Sequence, residues 1–123
     1  MDKIPISDAE LEVMRVLWDQ SPASFPEIVR RVKQHNAWEP VTIKTMLNRL
    51  VKKLVVAESG SRRNYQYTPL VSREDYRESI GDRLIEQAFD GAPLAMLSFF
   101  VKRADISRAD LDELQSLIEE LKK

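Results

Sequence analysis

Between Pro40 and Lys53 this chain of 123 residues carries side chains suited to holding a polyanion. With Thr42 set at 0° and about 100° per residue, Asn48, Lys52, Thr45 and Arg49 fall between about 240° and 340°, with Lys44 and Thr42 on the borders. Ile43, Leu47, Leu50 and Leu54 fall on the opposite side, between about 80° and 140°, with Met46 and Val51 flanking them. No acidic residue occurs from Pro40 to Ala57, where one would repel phosphate. Arginine can read guanine with two hydrogen bonds and asparagine can read adenine, while a threonine methyl can touch thymine. Arg62 and Arg63 follow at a turn, where paired cations suit a sugar-phosphate backbone. Thr42, Lys44, Thr45, Asn48, Arg49, Lys52, Arg62 and Arg63 are therefore the candidate DNA-binding residues.

Catalytic chemistry is poorly represented. The absence of cysteine removes disulfides, thiolate metal sites and cysteine nucleophiles. The lone His35 cannot build a two- or three-histidine metal cage, and no spacing links it to a serine and an aspartate as a triad. It reads as a surface or capping residue. Neither enzyme activity nor a metal or cofactor is expected.

The elements that must position the polar face are legible from their caps. Ser7-Asp8-Ala9-Glu10 is a capping box opening a first helix over 8–19, with Leu11, Met14, Leu17 and Trp18 at helical spacing. Ser24-Phe25-Pro26-Glu27 reads as a second capping box, opening a helix that ends near His35-Asn36. Pro40 opens the third, which continues to about Lys53. Val55 to Glu58 and Asn64 to Thr68 are β-type runs around Gly60-Ser61-Arg62-Arg63, a hairpin pattern. Tyr65 and Tyr67 alternate on that hairpin and read as one core-facing and one solvent-exposed ring, the alternatives being a nucleic-acid contact or, since they share one strand face, packing of both; Trp18 and Trp38 read as core anchors. Ser72-Arg73-Glu74-Asp75 caps a helix to about Phe89, stopped by Asp90-Gly91; helices over 93–103 and from Ser107 to about Lys122 follow. Three helices and a two-stranded wing are the layout of a winged helix-turn-helix. The fold class is mainly α with a small β-hairpin. A winged DNA-binding domain over 1–71 is followed by a C-terminal three-helix dimerisation region over 72–123.

The total charge of −1 hides a division. Residues 1–70 hold eleven basic and eight acidic side chains, net +3; residues 71–123 hold eight basic and twelve acidic, net −4. Over 40–70 six basic residues face only Glu58, net +5. Such segregation matters more for a polyanion than net charge does. With 43% apolar and 32% charged residues the chain reads as globular. No run approaches the roughly 18 apolar residues of a membrane helix, and Met1 to Pro5 lack the apolar core of a secretory signal, so a cytoplasmic location is expected.

The residues from Ile6 to Met14 with Leu17-Trp18, and the run Trp38-Glu39-Pro40-Val41-Thr42-Ile43-Lys44-Thr45, resemble the penicillinase repressor (BlaI/MecI/CopY) family. So do Leu47, Arg49-Leu50, Lys53 and the stretch from Tyr65 to Tyr76. The resemblance implies a homodimeric repressor that occludes a promoter at an inverted-repeat operator with TACA/TGTA-like elements. It places Thr42, Lys44, Thr45 and Arg49 at the DNA and the Arg62-Arg63 wing on the backbone. In the β-lactam branch a membrane sensor metalloprotease acts as anti-repressor by triggering cleavage in the fifth helix. The corresponding bond here is Phe99-Phe100, where that branch has asparagine before phenylalanine. The copper-responsive branch uses C-terminal cysteines, which this chain lacks.

The C-terminal helices have more apolar surface than three short helices can bury. Tyr76, Ile80, Leu84 and Ala88 recur at i+4 steps, the segment 94–101 (with Leu97 and Phe100) is apolar nearly all round, and Leu111, Leu114, Ile118 and Leu121 line one face. A twofold mate is the simplest cover. The alternatives are a tail packed on its own winged lobe and, for function, a winged-helix module that binds protein without DNA.

Overall fold

The computed structural model describes residues 3–103 and 105–123. Its elements run α1 (Asp8–Asp19), β1 (Ala23–Ser24), α2 (Phe25–Val32), α3 (Pro40–Lys52), β2 (Val56–Ser59), β3 (Gln66–Pro69), α4 (Arg73–Phe89), α5 (Pro93–Arg103) and α6 (Arg108–Leu121). It is mainly helical, with a winged helix-turn-helix followed by C-terminal helices. The hairpin expected from sequence gains a third strand: β1 pairs antiparallel with β3 through Ala23 and Ser24, giving the order β1-β3-β2. Two residues are too few for a period-2 pattern to show, so this strand left no trace in the sequence.

The caps explain the helix starts. In α1 the Ser7 hydroxyl accepts the Glu10 N–H at 3.1 Å and the Glu10 carboxylate accepts the Ser7 N–H at 2.9 Å. The box expected at α2 is half present. Ser24 Oγ accepts the Glu27 N–H, but the Glu27 carboxylate turns to Arg30 at 2.8 Å and Arg31 at 2.9 Å. A guanidinium three or four residues on is a stronger partner for a carboxylate than one backbone amide.

The end of α3 departs from the wheel. Helical periodicity places Leu54 on the apolar side of α3 with Ile43, Leu47 and Leu50, yet it is 75% exposed. The helix closes in a Schellman motif: the Val55 N–H bonds Leu50 O at 3.0 Å and the Leu54 N–H bonds Val51 O at 3.1 Å. That closure puts Leu54 in the left-handed region, with φ 65°, and turns its side chain outward. Val55 takes the core position instead and is buried with Leu50.

One core cluster holds the winged lobe together. Val13, Met14 and Leu17 of α1, Ile28 and Val32 of α2, Ile43, Met46, Leu47 and Leu50 of α3, and Ala23, Val55, Val56 and Tyr67 around the sheet are all buried. Trp18 and Trp38 pack against this cluster as anchors, half-buried. Trp18 Nε1 donates to Val71 O at 2.8 Å.

Two compact units emerge, Met1–Gly81 and Asp82–Lys123. The first extends past residue 71 because the start of α4 packs on α1. The Tyr76 ring lies 5.5 Å from that of Trp18, Arg73 pairs with Asp19 at 2.6 Å, and the Ile4 N–H reaches Ser79 Oγ at 3.4 Å. In the second unit, Phe89, Phe99 and Phe100 form a ring cluster with centroids 5.5–6.3 Å apart. No described residue of that unit is buried. Among the described residues no single helix is long and apolar enough to cross a membrane.

Candidate nucleic-acid interface

Burying Ile43, Met46, Leu47 and Leu50 fixes the rotation of α3 and so sends its other face outward. Thr42, Thr45, Asn48, Arg49 and Lys52 are all exposed there. The Thr45 hydroxyl donates back to Val41 O at 2.9 Å, which leaves its methyl as the outward group. Among the described residues, the side chains of Asn48, Arg49, Lys52, Arg62 and Arg63 have no hydrogen bond or ion pair within the protein. They form a cationic surface with its donors available.

Arg62 and Arg63 sit in the β2–β3 turn. Gly60 opens that turn at φ 99°, and a Cβ there would stand 2.5 Å from Asn64 O, so only glycine lets the chain reverse. The Asn64 N–H closes the turn on Ser61 O at 2.9 Å.

Lys44 differs from its neighbours. It is half-buried, and its Nζ donates to the Tyr67 hydroxyl at 2.6 Å. The same Nζ lies 5.3 Å from the Phe25 ring centroid, 5.3 Å from that of Tyr67 and 5.8 Å from that of Tyr65. With Arg62 and Arg63 it lines one cleft of about 340 Å³ at the root of the wing. Burial pushes the Tyr67 hydroxyl pKa up; Lys44 pulls the other way, and Glu58 adds to the rise. The hydroxyl is therefore protonated at neutral pH. The shared face of Tyr65 and Tyr67 was legible in their alternation. The part taken by Phe25 was not, because nothing local links the start of α2 to α3.

Lys53, one residue beyond α3, faces elsewhere. Its Nζ bonds Glu10 Oε1 at 2.6 Å and Pro5 O at 3.1 Å. Glu10 is 2% exposed. Burial raises its pKa, but the bonds from Lys53 and Ser7 outweigh this and hold the carboxyl below its ordinary 4.5. The pair ties the C-terminal end of α3 to the start of α1.

His35 is exposed in the turn after α2, and among the described residues no group of three or more His, Cys, Asp or Glu side chains could hold a metal. Of the candidate dimer residues, Ile80, Ala88, Leu97, Phe100, Leu111, Ile118 and Leu121 are exposed, and Leu84 and Leu114 half-buried. Tyr76 is half-buried against Trp18 of its own chain. Phe99 and Phe100, the candidate cleavage position, lie inside α5 with both rings partly exposed.

The family model described as penicillinase repressor matches residues 6–120. The penicillinase repressor of Bacillus licheniformis is 36% identical over 123 residues, covering 99% of this chain and 96% of that protein. The methicillin resistance regulatory protein MecI of Mammaliicoccus sciuri is 29% identical over 113 residues, covering 92% of each chain. A solution structure of the B. licheniformis BlaI monomeric form in complex with the blaP half-operator superposes with TM-score 0.54 at 44% identity, covering 62% of this chain and 94% of that one. The chain belongs to the penicillinase repressor family, whose members are winged-helix DNA-binding transcriptional repressors and not enzymes.

Proposed function

We propose that two copies of this chain bind an inverted-repeat operator in the cytoplasm and repress by occluding a promoter. In each copy α3 lies in the major groove. Thr42, Thr45, Asn48, Arg49 and Lys52 face the bases and the groove walls, while Lys44 stands beside the wing and Arg62 and Arg63 meet the backbone. Recognition helices roughly 34 Å apart would address half-sites one turn apart. TACA/TGTA-like elements are the operator class implied by the family. The carrying observation is the unpaired polar face of α3 beside a wing whose two arginines are also unpaired. The complex of the related BlaI monomeric form with a half-operator supports one half-site per copy.

Dimerisation runs through the apolar surfaces of α4, α5 and α6. Repression is relieved when a membrane sensor metalloprotease, acting as anti-repressor, triggers cleavage at Phe99-Phe100. Cleavage there separates the linked copies and removes an avidity of about 10²–10⁴.

Selection of bound duplexes from a random pool tests the reading. Enrichment of a palindrome supports a twofold-symmetric repressor; enrichment of a single unpaired element, or of none, overturns it. On the selected duplex, Arg49→Ala is expected to cost about 1–3 kcal/mol and to relax preference at one base pair. An unchanged affinity removes Arg49 from base reading.

A further inference from the structure

We infer that Lys44 does not read bases: it is a fixed charge for one backbone phosphate of the duplex, held for that purpose by the Tyr67 hydroxyl in the cleft at the wing root. The inference rests on the DNA-binding reading above and divides the α3 face into two kinds of contact.

Three observations carry it. The first is restraint. Arg49 and Lys52 are free, whereas Lys44 Nζ is bonded to Tyr67 at 2.6 Å and stands within 6 Å of three ring centroids. A lysine held this way has lost the reach needed to follow a base edge. It has also lost most of its rotamer freedom before DNA arrives, so binding an anion orders it less. The second is the cleft's charge. Lys44, Arg62 and Arg63 line it with no acidic residue among the lining groups. An ammonium has three donors; Tyr67 takes one and leaves the others for phosphate oxygens. The third is the orientation of the hydroxyl. The Tyr67 hydroxyl accepts from Lys44 Nζ at 2.6 Å, so an oxygen lone pair points at the ammonium, and Glu58 stands directly across the β2–β3 ladder from Tyr67. Tyr67 is thus a positioning residue, acting through Lys44.

The experiment measures affinity for the selected operator and for a random duplex across a salt series. The variants are Lys44→Met, Tyr67→Phe and the double variant, each checked by thermal melting. Lys44→Met is expected to lower the salt slope by about 1 on both duplexes, leaving the operator-to-random ratio unchanged. Tyr67→Phe keeps the ring and is expected to weaken both duplexes equally, by about 2–12-fold, and to add nothing in the Lys44→Met background. A changed ratio for Lys44→Met makes Lys44 a base reader and overturns the inference. So does a full Tyr67→Phe loss in the double variant. If Tyr67→Phe fails to fold, the slope and ratio of Lys44→Met decide alone. Replacing wild-type chloride by inorganic phosphate at equal ionic strength gives the remaining arm. Release of the duplex that depends on Lys44 supports a backbone phosphate in the cleft; inorganic phosphate that binds the free protein through Lys44 yet leaves duplex affinity unchanged assigns the cleft to free phosphate and overturns the proposal. If the wild-type protein binds no duplex, the DNA-binding reading falls, and this inference with it.

Discussion

Leu50 and Leu97 are the same residue on helices of similar length, 13 and 11 residues. Leu50 is fully buried; Leu97 is 50% exposed. The contrast extends to the units that hold them. In the winged lobe every helix puts its apolar face into one cluster, and the sheet closes it with Val56 and Tyr67. In Asp82–Lys123 Leu94, Phe99, Phe100, Leu117 and Leu121 all remain exposed. A stable lobe buries its apolar stripe, so a unit that leaves one open needs a second surface. The polar faces mirror this: Arg49 and Lys52 of α3 and Arg62 and Arg63 of the wing lack partners, which suits a polyanion, while the second unit exposes leucine and phenylalanine.

Charge placed on the apolar faces of α4 and α6 is expected to disperse the proposed dimer and to leave the core of the winged lobe folded. Ile80→Asp and Leu114→Asp are each expected to give monomers by light scattering and to cut operator affinity by about 10²–10⁴. The thermal transition of the lobe should persist. A wild-type protein that is monomeric at micromolar concentration breaks the comparison at its root.

The same test applied to the lobe gives the opposite pattern. Leu50→Ala is expected to cost about 2–5 kcal/mol of stability in urea melts, because it opens a cavity among Ile43, Leu47 and Val55. Its association state should not change while it stays folded. A cost below about 1 kcal/mol would mean that the lobe's core is no better packed than the tail.

A smaller effect separates charge from packing within the lobe. Lys53→Met leaves the Glu10 carboxylate buried without its cation, and is expected to cost about 1–3 kcal/mol at neutral pH. Glu10 titrates below its ordinary 4.5 when folded, so the pair's stabilisation is present above that pH and lost as pH falls through the lowered value. The difference between wild type and Lys53→Met should therefore shrink in acid. A difference that stays constant as the carboxylates are titrated with acid assigns the cost to lost aliphatic contact instead.

Legibility in the sequence follows the same division. The starts of α1, α2, α4 and α6 could be read because serine caps act within three residues. The core stripe of α3 could be read to Leu50 because helical periodicity is local, and failed at Leu54 because helix closure is set by the backbone. Strand β1, the Phe25 contact to Lys44 and the Lys53–Glu10 tie depend on residues 19 to 44 positions apart, and no single window contains them. The candidate DNA face was visible as residue types. Its division into free and strapped cations needed the aromatic neighbours of Lys44 in three dimensions.

Gly81 gives the finest probe, because it ends the first unit inside α4 and follows Ile80, a candidate dimer residue. A Cβ at Gly81 would meet nothing within 4 Å in the single chain. Helix propensity alone should then decide, and Gly81→Ala is expected to stabilise by about 0.5–1 kcal/mol in thermal or urea melts. A second copy could change the sign. If dimerisation brings a backbone against the bare Cα of Gly81, the added methyl obstructs that approach, and the variant dimer dissociates at lower dilution than wild type. Melts at two protein concentrations separate the outcomes. Stabilisation of the same size at both places the dimer contact away from the middle of α4. Destabilisation that grows with concentration places it at Gly81, and extends the tail's interface to the last residue of the winged unit.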